Sequence, residues 1–356
     1  MKLKRIFAAV TAFALCASLA GCGAAATVSE SAAESAAESA VEATPAVTEA
    51  PATEETADAS EAALRIAGLK GPTTMGLVNL MSDEVASNYN FTMYGAADEI
   101  VPLLVKGDLD AAAVPANLAA TLYNKTNGAV EVACINTLGV LYIVENGENV
   151  NSVGDLKGQT IVTTGKGATP EYVLRYVLTE NGVDPDSDVT IEYCSEATEA
   201  LSKVQAGEAT IAMLPQPFVT TAQTKSENIR VALDLTEEWD EIQAESDAPS
   251  TLVTGVVVGR TEFVAEHPEA VSAFLEHYRA SVEYVNANVD EAAQLVGQYE
   301  IVAAEVAQKA LPECNIVFIE GVEMKDSLSG YLSVLFEQNP KSVGGALPDD
   351  AFYYSR

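Results

Sequence analysis

Basic side chains are scarce in this sequence: 19 Lys and Arg stand against 52 Asp and Glu, a formal charge of −33 at pH 7. That balance excludes nucleic acid as a natural partner, because phosphate backbones are bound through clustered Lys and Arg. Histidine is scarcer still. Its two copies, His267 and His277, cannot furnish a His-rich metal site, and His267 directly precedes Pro268 at a helix start. No metal or other cofactor is expected. Five cysteines are present without a CxxC pair, which argues against a disulfide framework. There is no GxSxG for a nucleophile elbow. Gly165-Lys166-Gly167 falls short of a phosphate loop, since GxxxxGK[ST] needs glycine where Thr160 stands and Ser or Thr where Gly167 stands. After the first 22 residues no run is long and apolar enough to span a bilayer, which takes roughly 20 apolar residues.

What is present falls into three zones. Lys2, Lys4 and Arg5 precede an apolar run from Ile6 to Ala20 that ends in Leu19-Ala20-Gly21-Cys22. A charged start, a short apolar stretch and small residues at a cleavage point read as a secretory signal over residues 1–21. The Leu-Ala-Gly-Cys ending resembles a bacterial lipobox, after which Cys22 becomes a lipid-modified N-terminus and anchors the protein to the membrane. Residues 22–63 continue as the lipidated cysteine and an Ala/Ser/Glu stretch with no aromatic residue. Its carboxylates at Glu30, Glu34, Glu38 and Glu42 would repel at i,i+4 on a helix, so a disordered tether is expected, with a reach of roughly 35 Å. Export with Cys16 removed and Cys22 acylated leaves Cys134, Cys194 and Cys314, each expected as a small buried apolar side chain.

The third zone, residues 64–356, alternates β-like apolar runs with amphipathic stretches, which argues for an α/β body. Strands are expected at Leu64–Ala67, Phe91–Tyr94 and Ala111–Val114, with helices at Thr74–Val85 and Asp98–Val105. The pattern then returns. Lys70-Gly71-Pro72-Thr73 reappears as Lys166-Gly167-Ala168-Thr169, and Gly107, eight residues before Pro115, reappears as Gly207, eight before Pro215. Two pairs in the same order point to a duplication, the second lobe carrying a small insertion near Val183-Asp184-Pro185-Asp186. Gly139–Val144 and Leu252–Gly259 read as two crossings between lobes, hence a two-stranded hinge. Lobe 1 is set at 64–143 plus 258–356 and lobe 2 at 144–257. Helices follow, with Val271, Phe274, Leu275, Tyr278, Val282 and Val285 on one face, and this tail is expected to pack back on lobe 1. In open α/β sheets ligands bind beyond the strand C-termini. Two facing KGxT loops at helix starts would therefore line a locally positive cleft suited to an anion.

Several stretches resemble the lipid-anchored solute-binding proteins of ABC importers, in the nitrate/sulfonate/taurine and thiamine-precursor group. They are the repeated Gly-to-Pro segments, Asn151-Ser152-Val153-Gly154-Asp155-Leu156-Lys157-Gly158-Gln159-Thr160-Ile161, and His267-Pro268-Glu269-Ala270-Val271-Ser272-Ala273-Phe274-Leu275. Asn286-Ala287-Asn288 through Glu291-Ala292-Ala293 continues that last pattern. The resemblance implies a type II periplasmic-binding fold. It implies a monomer on the extracytoplasmic face that closes on one small solute and presents it to a permease with its ATPase. Carried over loop by loop, it implies ligand contacts from Gly71, Thr73 and Thr74, from Tyr94 and Gly95, from Pro115, Ala116 and Asn117, and from Thr137 near the hinge. Lobe 2 would add Thr164, Lys166, Gly167, Thr169 and Tyr172, then Ser195, Glu196 and Gln216. None of these loops holds an arginine for bidentate oxyanion capture. Lys166 is the cation placed to meet an anion, and Tyr94 and Tyr172 could stack on a flat ring. Both a sulfonate-like and a pyrimidine solute stay open. Two rivals are a sensing co-receptor lipoprotein using the same cleft and an enzyme on the same bilobal fold, for which Cys194 is the one hint of a reactive group.

Overall fold

In the computed structural model the described residues are 63–356. The signal segment, Cys22 and the expected tether lie outside the described residues. Eleven strands are present among those described: β1 (Leu64–Leu69), β2 (Tyr89–Tyr94), β3 (Ala111–Pro115), β4 (Val130–Leu138), β5 (Leu141–Asn146), β6 (Thr160–Thr163), β7 (Thr190–Tyr193), β8 (Ile211–Pro215), β9 (Ile229–Asp234), β10 (Val253–Arg260) and β11 (Ile316–Ile319). One sheet has the order β11-β4-β10-β3-β1-β2 and the other β7-β6-β8-β5-β9. The second repeats the first, strand for strand, apart from the edge strand β11. In each, three parallel strands meet an antiparallel strand donated by the other half of the chain: β10 lies between β3 and β4, and β5 between β8 and β9. The two hinge crossings are therefore Leu138 to Leu141 and Asp234 to Val253. Boundaries drawn at 143/144 and 257/258 fall inside β5 and β10, each of which belongs wholly to one sheet.

Register locates the insertion. Ile66 pairs with Phe91 and Ala111, while Ile161 pairs with Ile191 and Ile211. The offset is 95 positions from Ile66 to Ile161 but 100 from Phe91 to Ile191 and from Ala111 to Ile211. The added residues thus lie between the KGxT loop and the second strand of lobe 2, the interval that contains Val183–Asp186. The Gly-to-Pro spacing also has a local cause. Gly107 and Gly207 hold φ values of 78° and 73°, a left-handed turn that closes the preceding helix at little cost only for glycine. Five-residue strands follow, and Pro115 and Pro215 end them, because proline cannot donate to the ladder.

Three expectations are corrected. The helix expected at Thr74–Val85 is broken into Pro72–Met75, Val78–Ser82 and a 3-10 turn at Glu84–Asn88. Packing decides this, since Gly76 stands so close to Ile316, Val282 and Tyr278 that no side chain fits there. The tail contains a strand, β11, whose run Ile316-Val317-Phe318-Ile319 has strand composition and pairs on the edge of β4. The tail also does not stay on lobe 1. The long helix Pro268–Ala287 does, burying the six apolar positions against Ile66, Met75 and Leu80. Helix Gly321–Gln338, however, reaches lobe 2, where Tyr331 meets Trp239 at 5.5 Å and Trp239 meets Tyr176 at 4.6 Å between ring centroids. Cys134, Cys194 and Cys314 are buried and unpaired, as the sequence suggests. No helix among the described residues is long and apolar enough to cross a membrane.

Candidate functional site

The C-terminal ends of β1, β2 and β3 face those of β6, β7 and β8 across a cavity of about 790 Å³. From lobe 1 its lining includes Gly71, Thr73, Gly95 and Pro115. From lobe 2 it includes Thr164, Lys166, Gly167, Thr169, Ser195 and Glu196. These are ten of the seventeen residues implied by the resemblance. The other seven lie outside the lining, each for a visible reason. Thr74 turns back to donate its hydroxyl to the Leu69 carbonyl at 2.6 Å. Tyr94 contributes its carbonyl to the Lys70 N–H at 3.0 Å, and its ring packs on the core. Ala116 is fully buried. Asn117 spends its amide on Gly167, Thr169 and Ser342. Thr137 donates to Asn136 Oδ1 at 3.1 Å. Tyr172 faces a separate surface hollow beside Arg175 and Asp186. Gln216 Oε1 accepts from the N–H and hydroxyl of Thr220, at 3.2 and 2.9 Å.

Two hydroxyls in the lining stand out. Thr73 Oγ1 and Thr254 Oγ1 belong to residues only 6% and 9% exposed, line the cavity, and have no hydrogen-bond partner. A buried hydroxyl left unpaired costs about 1–3 kcal/mol, so such a pair at a cavity wall offers hydrogen-bonding capacity to whatever fills the cavity, water or solute. Their setting is built. The Asn136 side-chain N–H holds the Thr73 carbonyl at 3.0 Å. Gly255, beside Thr254 on β10, is so close to Thr73 and Asn136 that an added Cβ would fall 2.6 Å from each.

The electrostatics differ from a locally positive cleft. Glu99 accepts from the N–H groups of Gly95 and Ala96 at 3.2 and 3.0 Å, Glu171 from Gly167 at 2.6 Å, and Glu199 from Ser195 at 3.0 Å. Three cleft loops that could have met an anion with backbone donors are thus closed by the protein's own carboxylates. The lobe 1 loop leads only into the single turn Pro72–Met75. Side-chain charge is mixed, with Lys70 and Lys166 among Asp98, Glu196 and Glu300. Lys166 lies over the Tyr193 ring, 5.5 Å from its centroid. Cys194 also lines the cavity. Burial pushes its thiol pKa up, and the nearby Glu199 adds to this. An activated nucleophile needs the opposite shift.

The sequence reading missed part of the lining: Asp98, Leu118, Leu141, Phe218, Thr254, Glu300 and Ile301. Asp98 follows the matched turn after β2 and was within reach of the loop argument. Thr254 sits in the second hinge crossing, where a polar residue amid valines was a usable signal. Glu300 and Ile301 arrive from the far end of lobe 1, and nothing local announces them. Glu300 holds a left-handed φ of 55° where the chain leaves helix Val289–Gln298.

Residues 129–292 match the family described as NMT1/THI5 like. The match takes in a little under half of the chain. It runs from β4 through all of lobe 2 into helix Val289–Gln298. The resemblance read from the sequence therefore holds, and so does the fold it implies, the type II periplasmic-binding fold. Among solved structures, an ABC transporter protein from Parabacteroides distasonis is 25% identical, with 82% of this chain and 99% of that chain covered and a TM-score of 0.68. The periplasmic aliphatic sulphonate binding protein SsuA from Escherichia coli shares the fold at 15% identity, a TM-score of 0.65 and 83% and 92% coverage. The periplasmic nitrate-binding protein NrtA from Synechocystis PCC 6803 does so at 12% identity, a TM-score of 0.59 and 78% and 82% coverage. Curated proteins include no match to the chain.

Proposed function

We propose that this chain is the substrate-binding protein of an ABC importer, held at the extracytoplasmic membrane face through lipid on Cys22. It closes as a monomer around one small solute and delivers it to the permease. The carrying observation is the pair of unpartnered hydroxyls, Thr73 and Thr254, in the wall of an interlobe cavity of about 790 Å³. The NMT1/THI5-like match and the sulfonate- and nitrate-binding proteins that share the fold support the same reading. The wall also ranks the solutes. Without arginine among the lining residues, and with Asp98, Glu196 and Glu300 facing Lys70 and Lys166, a bare inorganic anion is poorly served. Tyr94 and Tyr172 are not in the wall, so a flat pyrimidine lacks the expected stacking pair. A small organic acid of the sulfonate type fits better, its head accepting from the two threonines and Lys166 and its carbon body against Leu69, Val101, Leu118 and Phe218.

A thermal-shift screen over alkanesulfonates, taurine, nitrate, pyrimidines and amino acids tests this. Ligand at 100 times its Kd stabilises a protein by about 2.7 kcal/mol. In the solute found, Thr73→Val and Thr254→Val should each raise Kd by roughly 2- to 10-fold, the worth of one hydrogen bond. No stabilisation by any of these classes would defeat the proposal, and a pyrimidine bound tightest would reverse the ranking. Cys22→Ser should move the protein from the membrane to the soluble fraction, and retention in the membrane would remove the anchor from the reading.

A further inference from the structure

The duplication allows corresponding atoms of the two lobes to be compared, and one comparison is unequal. Thr73 and Thr169 close the two KGxT loops and are both buried. Thr73 Oγ1 has no partner. Thr169 Oγ1 donates to Asn117 Oδ1 at 3.2 Å across the lobe boundary. The side-chain N–H of Asn117 in turn reaches the Gly167 carbonyl at 3.3 Å and the Ser342 carbonyl at 2.9 Å. Asn117 follows Pro115 by two residues. The position that follows Pro215 by two is Pro217, which has no amide to offer Thr73. The fold thus ties one loop across the cleft and leaves its repeat mate untied.

We propose that Asn117 is a positioning residue, an interlobe latch that holds the 165–169 loop, and with it Lys166, in the closed arrangement. Thr169 is then part of the latch and not a solute contact, although it lines the cavity. The division of labour follows from hydrogen-bond capacity. A threonine hydroxyl has one proton to donate, and Thr169 gives it to Asn117, whereas Thr73 keeps its own for the solute. The amide of Asn117 is fully buried, so on opening it would have to give up Gly167 and Thr169 and leave polar atoms unsatisfied until water enters. That makes closure a two-position event with a defined contact set. Ser342 ties the same side chain to the C-terminal segment, which fixes the lobe 1 half of the latch when the other half lets go.

The test needs no solute, so its failure leaves the binding reading untouched. X-ray scattering and amide exchange are measured on the full chain for wild type, Asn117→Ala, Thr169→Val and the double variant. Asn117→Ala and Thr169→Val should each raise the radius of gyration and speed exchange at residues 166–169 by about tenfold, with β1 unchanged. The double variant should add little to Asn117→Ala, because that change already removes the Thr169 bond together with those to Gly167 and Ser342. Thr169→Val leaves the Asn117–Ser342 bond in place, so it separates the latch from mere support of the C-terminal segment, and it decides the matter alone if Asn117→Ala does not fold. Wild-type scattering and exchange in Thr169→Val, or effects that simply add in the double variant, would overturn the proposal.

Discussion

Gly255 offers the sharpest link between the sheet and the site. A Cβ at this position would lie 2.6 Å from Asn136 Oδ1, 2.6 Å from Thr73 Cγ2 and 3.4 Å from Thr137 Cβ. Carbon atoms in contact prefer about 3.5–4.0 Å, so Gly255→Ala must push Thr73 and Asn136 away by roughly 1 Å. Neither yields freely, since Asn136 is bonded to both Thr73 and Thr137 and all three are buried. Overpacking of this kind costs about 1–3 kcal/mol, or roughly 2–10 °C in Tm for a body of this size. The shift also moves the Thr73 hydroxyl off the solute, with a rise in Kd of about 2- to 10-fold. Gly71→Ala is the matched control. Its Cβ would meet nothing within 4 Å and its backbone is extended at a φ of 164°, so stability should stay within about 0.5 kcal/mol of wild type. Calorimetric Tm and titration of the solute from the screen read both variants. Wild-type stability and affinity in Gly255→Ala would refute the argument that β10 approaches Thr73 to place its hydroxyl.

Two further outcomes follow from the lobes themselves. Trp239→Ala removes a fully buried ring that packs, tilted, between Tyr176 and Tyr331 and donates to the Ser250 carbonyl at 3.0 Å. It should cost about 3–5 kcal/mol, and equilibrium denaturation with a loss below 1 kcal/mol would show that helix Gly321–Gln338 is not bound to lobe 2 through this ring. Burial disfavours the charged form of Glu145, yet N–H groups of Val150 and Asn149 and the Arg230 guanidinium outweigh it and hold the carboxyl below its usual value. Its folded pKa is depressed, so its contribution is present above the ordinary glutamate value of about 4.3 and fades as pH falls through the folded value. Glu145→Gln should therefore cost about 1–3 kcal/mol at pH 7, with the two unfolding curves converging in acid. A difference that stays constant from pH 7 to pH 3 would show that the loss is packing and not charge.

Much of the fold could be read in the sequence because its signals are local and repeated. Left-handed turns at Gly107 and Gly207, prolines that end β3 and β8, and apolar runs of strand length all follow from single-residue stereochemistry. Repetition then turned weak motifs into two lobes. Ten of the residues implied by the family resemblance line the cavity, since loops at strand ends inherit their position from the strands. What the tertiary structure alone decided depends on contacts between distant segments. Whether a loop residue faces the cavity or the core is a matter of a single rotation about the backbone, and Thr73 and Thr74 went opposite ways. The charge of the cleft turned on Glu99, Glu171 and Glu199 folding back on the amides beside them, which composition cannot show. Thr254 and Glu300 reach the cavity from segments far along the chain, and the Asn117 latch joins residues 50, 52 and 225 positions apart. Chain chemistry sets which groups exist and where turns fall, but only packing determines which buried hydrogen-bonding group is satisfied within the protein and which is left for a solute.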